Sequence, residues 1–84
     1  MKKEVRILKA LADETRLNLV LQLAKGEQCA CTLVPKAGRA QPTVSQHLKI
    51  LSEAGVLSQR REGRNILYSI KDRRVLKLIK CLTR

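Results

Sequence analysis

The sequence predicts one small domain, mainly α-helical with a single β-hairpin, and three observations carry that prediction. Val44, Leu48 and Leu51 recur at i, i+4 and i+7, the spacing of one buried helical stripe, and Ala54-Gly55 offers a left-handed stop behind them. After Glu62-Gly63 the residues Ile66, Tyr68 and Ile70 alternate with Leu67 and Ser69, the period of a half-buried strand. The chain has 84 residues and no Gly/Ser-rich stretch, repeat or low-complexity tract, so residues 1–84 have room for one core and one domain.

Taken in order, the first helix is expected over about residues 3–12, where Val5, Leu8 and Leu11-Ala12 form an apolar stripe. Asp13 is the predicted N-cap of a second helix carried by Leu17, Val20, Leu21 and Ala24 and closed by Gly26. Residues 27–34 read as a short third helix that ends before Pro35, because proline and Gly38 oppose a longer one. Arg39 leads into the fourth helix. The hairpin follows, with strands over 57–61 and 64–70 joined by a Glu62-Gly63 loop. Asp72 then caps a last helix, over about residues 72–83, with Val75, Leu78, Ile79 and Leu82 on one side.

The fourth helix and the hairpin suggest a function together. Opposite the apolar stripe, Gln41, Thr43, Ser45, Gln46 and Lys49 are predicted to face solvent, and short hydroxyls and amides at a helix N-terminus reach base edges and phosphates. Arg60, Arg61, Arg64 and Asn65 are expected to cluster near the hairpin tip. A basic hairpin directly after such a helix is the layout of a winged helix-turn-helix. Charge points to the same partner: net +11 overall, of which residues 28–84 carry +9. With one aromatic residue, Tyr68, the chain lacks the stacking platforms of single-strand binders, so double-stranded DNA is the expected partner.

Several classes are disfavoured. Apolar runs are a few residues long, far below the roughly 20 of a membrane span, and no signal peptide opens the sequence, which predicts a cytoplasmic protein without a membrane partner. One histidine, no acid pair and no phosphate-cradling glycine loop leave catalysis without a constellation. His47 itself reads as a packed, hydrogen-bonding side chain. Apolar stripes at both chain ends exceed what so short a chain covers alone, so Val5, Leu8, Val75, Leu78, Ile79 and Leu82 are expected to join two copies as a homodimer.

These segments resemble the ArsR/SmtB family of winged-helix transcriptional repressors. Leu11-Ala12-Asp13-Glu14-Thr15-Arg16-Leu17 is similar to the family's opening segment, and residues 41–51 follow its recognition segment almost letter for letter. Arg61-Glu62-Gly63-Arg64 with Tyr68 resembles its wing. The resemblance implies a homodimeric repressor joined through its terminal helices, bound to a two-fold operator and released by an inducer. Ala40 departs from the Ser or Thr that usually caps the recognition helix.

Glu27-Gln28-Cys29-Ala30-Cys31-Thr32-Leu33 aligns without gaps to the family's arsenic-sensing segment, which implies Cys29 and Cys31 as thiolate ligands for As(III) or another soft ion. No cofactor is otherwise required. On a helix, residues two apart lie about 200° around the axis, so the pair converges only if the first turn distorts. Val34 stands where a third cysteine often occurs and Thr32 where the family has Asp, which leaves Cys81 as a candidate third ligand. The family's other metal site, of Asp and His on the last helix, finds only Asp72. Three readings stay open: a repressor responding to a thiophilic metal or metalloid, a thiol-redox-responsive repressor, and a constitutive DNA- or RNA-binding winged helix.

Overall fold

Helix α4 (Gln41–Glu53) is the centre of the packing: Val44, Leu48 and Leu51 are 0–1% exposed. Its end is a Schellman motif, in which Gly55 at φ +86° lets Gly55 N–H donate to Ser52 O and Val56 N–H to Leu51 O. Val56 and Leu51, the apolar pair that accompanies this motif, are both buried. The computed structural model describes residues 1–83. Around α4 lie α1 (Lys2–Leu11), α2 (Glu14–Leu23) and α3 (Ala30–Ala37), and the last helix is α5 (Arg73–Leu82).

The strands are β1 (Gln28–Cys29), β2 (Leu57–Glu62) and β3 (Asn65–Ile70), antiparallel in the order β1-β3-β2. Leu57 pairs with Ile70, Gln59 with Tyr68 and Arg61 with Ile66, which puts these six on one face, the one that buries Leu57 and Tyr68. Ser58, Arg60 and Glu62 lie on the other face opposite Ser69, Leu67 and Asn65. The core also takes Leu19, Val20 and Leu23 of α2, Leu33 of α3 and Val75 and Ile79 of α5.

Asp13 caps α2 as expected, accepting from Arg16 N–H at 3.0 Å, and Asp72 caps α5 through Arg74 N–H at 2.9 Å. Four expectations change. The third helix begins at Ala30 rather than residue 27, because residues 28–29 pair with Tyr68 and Leu67 as a third strand. It also runs through Pro35 to Ala37, where Gly38 at φ +66° ends it. The hairpin loop is Gly63-Arg64 instead of Glu62-Gly63, since Glu62 pairs with Asn65 and only the first loop residue takes positive φ, a position glycine fills without strain. Finally, Val75 and Ile79 are 2% and 1% exposed within one chain, so they serve its own core and not an open face. Among the described residues the large apolar side chains left exposed at the chain ends are Met1, Val5, Leu8 and Leu82, the last three at 44%, 55% and 65% exposure, and Leu78 of α5 is half-buried.

Ala40 sits at the N-cap of α4 with extended backbone (φ −63°, ψ 150°) and provides no side-chain cap. Ala40→Ser is therefore expected to stabilise the fold by about 1 kcal/mol, read as a higher urea midpoint at unchanged m-value. An unchanged or lower midpoint would show that the first turn of α4 gains nothing from a hydroxyl there.

Candidate nucleic-acid interface and cysteine site

With Val44, Leu48 and Leu51 fixed inward, the rotation of α4 leaves Thr43, Gln46 and Lys49 exposed away from the core and Ser45 exposed on the flank, while Gln41 is exposed at the first position of the helix and Arg39 just ahead of it. A second restraint holds this setting. The Arg16 guanidinium donates through Nε to the Ala10 carbonyl at 2.6 Å and lies 3.3 Å from Nδ1 of His47. The same nitrogen lies 4.0 Å from Asp13 Oδ2, so His47 faces both the guanidinium and the carboxylate that caps α2. His47 is thus the packed, bonded side chain its position suggested, and Arg16 links the end of α1, the start of α2 and the middle of α4.

The hairpin arginines divide into two kinds. Arg61 and Arg64 are exposed and lie at the turn, with Asn65 next to them. Arg60 is held: Nε and a terminal nitrogen fork onto both oxygens of Glu27, at 2.9 and 2.7 Å, and its other terminal nitrogen reaches Glu62 at 3.1 Å. The Arg60 side chain lies on the sheet face opposite Arg61, so the expected three-arginine cluster at the tip is a pair. Hydrogen bonding from Arg60 holds the Glu27 carboxyl below its ordinary range, and Glu27 and Glu62 together push the Arg60 guanidinium up. Two carboxylates beside one guanidinium offset its charge, and the fork braces β2 to the residue that precedes β1. Sequence reasoning did not find this brace, because Glu27 and Arg60 are 33 positions apart and only the sheet order brings them together.

Cys29 and Cys31 meet where β1 gives way to α3. Cys29 is the N-cap, with extended backbone (φ −72°, ψ 147°), and its Sγ accepts the Cys31 N–H at 3.2 Å. Across a Cα separation of 5.1 Å the two sulfurs are in disulfide contact. No distortion of a helical turn is needed for them to converge, contrary to expectation, because Cys29 lies outside the helix and its extended backbone swings the sulfur over the first turn. Cys31 is exposed and Cys29 half-buried. Among the described residues no group of three or more His, Cys, Asp or Glu side chains could hold a metal ion, so Cys81, exposed on α5, does not complete a site with the pair in one chain. Val34 packs against the core.

At the other end of the molecule Asp72 both caps α5 and forks onto the Arg74 side chain at 3.1 and 2.8 Å, and Arg74 also reaches Glu4 of α1 at 3.5 Å. Asp72 is therefore committed to seating α5 against α1. No described helix is long and apolar enough to cross a membrane.

A family model described as bacterial regulatory protein, arsR family, matches residues 13–59. The chain is 42% identical over 79 residues to an uncharacterized HTH-type transcriptional regulator of Methanocaldococcus jannaschii, covering 93% of this chain and 89% of that protein. It is 43% identical to a probable mercury resistance operon repressor of Streptomyces lividans and 42% identical to the arsenical resistance operon repressor of Escherichia coli. These alignments cover 88% and 79% of this chain but span 59% and 57% of those two proteins. Among solved structures it is similar to the homodimeric winged helix-turn-helix DNA-binding domain of a Mycobacterium bovis protein, with TM-score 0.88 and 31% identity over 96% of this chain and 75% of that one. HlyU from Vibrio cholerae matches with TM-score 0.91 and 31% identity, covering 96% and 88%.

The Asp72 fork has a consequence in acid. Bonding to the Arg74 side chain, then to its backbone N–H, holds the Asp72 carboxyl at about 2, below the ordinary 3.8. A depressed folded value stabilises the folded state above the unfolded value, so the contribution is complete above about pH 4 and is lost as pH falls towards 2. Followed by NMR of the Val75 and Ile79 methyl groups, α5 should stay seated from neutrality to about pH 4 and loosen below it. Asp72→Asn should remove that acid step, and an identical acid profile in the variant would contradict the assignment.

Proposed function

The chain belongs to the ArsR family of bacterial regulatory proteins, and on that premise we propose that it is a cytoplasmic, sequence-specific repressor of double-stranded DNA that works as a homodimer. The observation that carries this reading is the common exposure of the polar side of α4 and the basic turn of the hairpin, in the part of the chain that holds most of its positive charge. Gln41, Thr43, Ser45 and Gln46 read base edges in the major groove, while Arg39, Lys49, Arg61, Arg64 and Asn65 hold phosphates or the flanking minor groove. Arg60 acts at one remove, by bracing β2. The homodimeric Mycobacterium bovis domain and the exposed Val5, Leu8 and Leu82 support dimerisation through α1 and α5. Two-fold pairing places two recognition helices on one face of the duplex.

Cys29 and Cys31 are the effector site in this proposal, and the effector is a soft, thiophilic metal or metalloid such as arsenite. The mercury and arsenical resistance repressors among the relatives support that chemical class. Two adjacent sulfurs give two ligands, and further ligands come from water or from a small thiol. The place of Cys29 at the N-cap of α3, with its Cα 5.1 Å from that of Cys31, also supports a second reading, in which oxidation of the dithiol to a disulfide is the signal.

Base reading and phosphate binding separate by substitution, measured on a duplex the protein selects from a randomised pool. Gln46→Ala should cost about 1–3 kcal/mol on that duplex and little on random DNA, whereas Arg61→Ala should weaken both and lower the salt slope by about one unit. Equal loss on both duplexes for Gln46→Ala would refute base reading by α4.

The effector reading has its own test. Cys29→Ser combined with Cys31→Ser should bind the selected duplex and no longer leave it when arsenite is added, while the unsubstituted protein leaves it. Release of the double variant by arsenite would refute the pair as the site. Unsubstituted protein that ignores arsenite but leaves the duplex on addition of peroxide would replace metal sensing with the redox reading.

A further inference from the structure

The cysteine pair does not face a separate pocket. It opens into a cleft of about 280 Å³ that is also lined by Gln41 and Ser45, from the first turns of α4, and by Arg64 and Asn65, at the hairpin turn. These four side chains are among those assigned to DNA above. A duplex that seats the N-terminus of α4 in the major groove and the wing alongside has to lie across this cleft, which the exposed Cys31 also lines.

We propose that Cys29 and Cys31 lie inside the DNA footprint, so that DNA and any species bonded to the cysteines exclude each other by occupying the same cleft. This rests on the DNA-binding reading and deepens it by stating how the effector and the operator communicate. No change in the packing of α3 against α4 is needed. A group bonded to Cys31 occupies the space that DNA needs beside Gln41 and Ser45, and DNA in turn covers the thiol. The regulatory consequence is directional. The bound repressor does not sense the effector until it dissociates, and the effector acts by capturing the free protein. Cys81 on α5 is exposed and does not line this cleft, and it serves as an internal reference.

Iodoacetamide is the probe, since each thiolate sulfur displaces one iodide and keeps the carboxamidomethyl group as a mass tag. Fully reduced protein is alkylated under argon with and without a saturating amount of the selected duplex, and the three cysteines are followed separately by peptide mass spectrometry. Anisotropy of a fluorescent label on the duplex monitors binding in the same tube. At a duplex concentration near 100 times its Kd, alkylation of Cys31 should slow by roughly tenfold or more while that of Cys81 changes less than about twofold. In the reverse order, protein carrying the tag at Cys31 should bind the duplex about tenfold more weakly, which a thiol remote from the interface would not cause. Protein that binds the duplex yet leaves Cys31 as reactive as before overturns the occlusion and spares the DNA-binding reading. Protein that binds no duplex overturns both.

Discussion

The inward packing of Val44, Leu48 and Leu51 is the constraint on which the rest of the molecule depends. An amphipathic helix has one rotational freedom about its own axis, and burying a stripe at i, i+4 and i+7 removes it. Once that stripe is fixed, the positions of Thr43, Ser45, Gln46 and Lys49 on the opposite side follow from helical geometry alone. The Schellman motif at Gly55 fixes where α4 stops and hence where β2 begins. Arg16 and His47 add a polar restraint between α2 and α4 at the margin of the core. The surface proposed to read DNA is thus the exposed remainder of a packing problem solved on the other side of the helix.

Two linkages tie the cysteine segment to this frame. The short strand β1 pairs with Tyr68 and Leu67 of β3, and the Glu27 fork onto Arg60 reaches past β3 to the edge strand. An exposed single ion pair contributes little to stability, but a bidentate fork joined by a second carboxylate orients what it connects. The cysteine segment, the hairpin turn and the start of α4 line one cleft, and the first two also share one short sheet. That arrangement places the Cys31 thiol and the Gln41 amide on the same surface.

Periodic features of this fold were legible in the sequence because their physics is local. The stripe of α4, the caps Asp13 and Asp72 and the left-handed stop at Gly55 each depend on residues a few positions apart. What the sequence did not disclose depends on tertiary pairing. Two residues, Gln28 and Cys29, have no periodicity to detect and become a strand only because β3 lies beside them. That pairing delays the start of α3 and moves Cys29 out of the helix, so the angular argument against convergence of the cysteines does not apply. Arg60 reads like Arg61 in sequence, yet strand alternation sends the two to opposite faces and Glu27 claims one of them. Likewise Val75 and Ile79 share a stripe with Leu78 and Leu82, and only the packing of α5 shows which of the four the chain's own core consumes.

The central claim is that two copies present the polar side of α4 to successive major grooves on one face of a duplex. Hydroxyl-radical footprinting combined with guanine-methylation interference on a selected duplex addresses it directly. The account predicts two interference clusters centred about one helical turn apart, roughly 10 bp or a multiple of it, with backbone protection on the same face and extending outward where the wings lie. A single cluster, or protection spread evenly along the duplex without interference at any base, would contradict it.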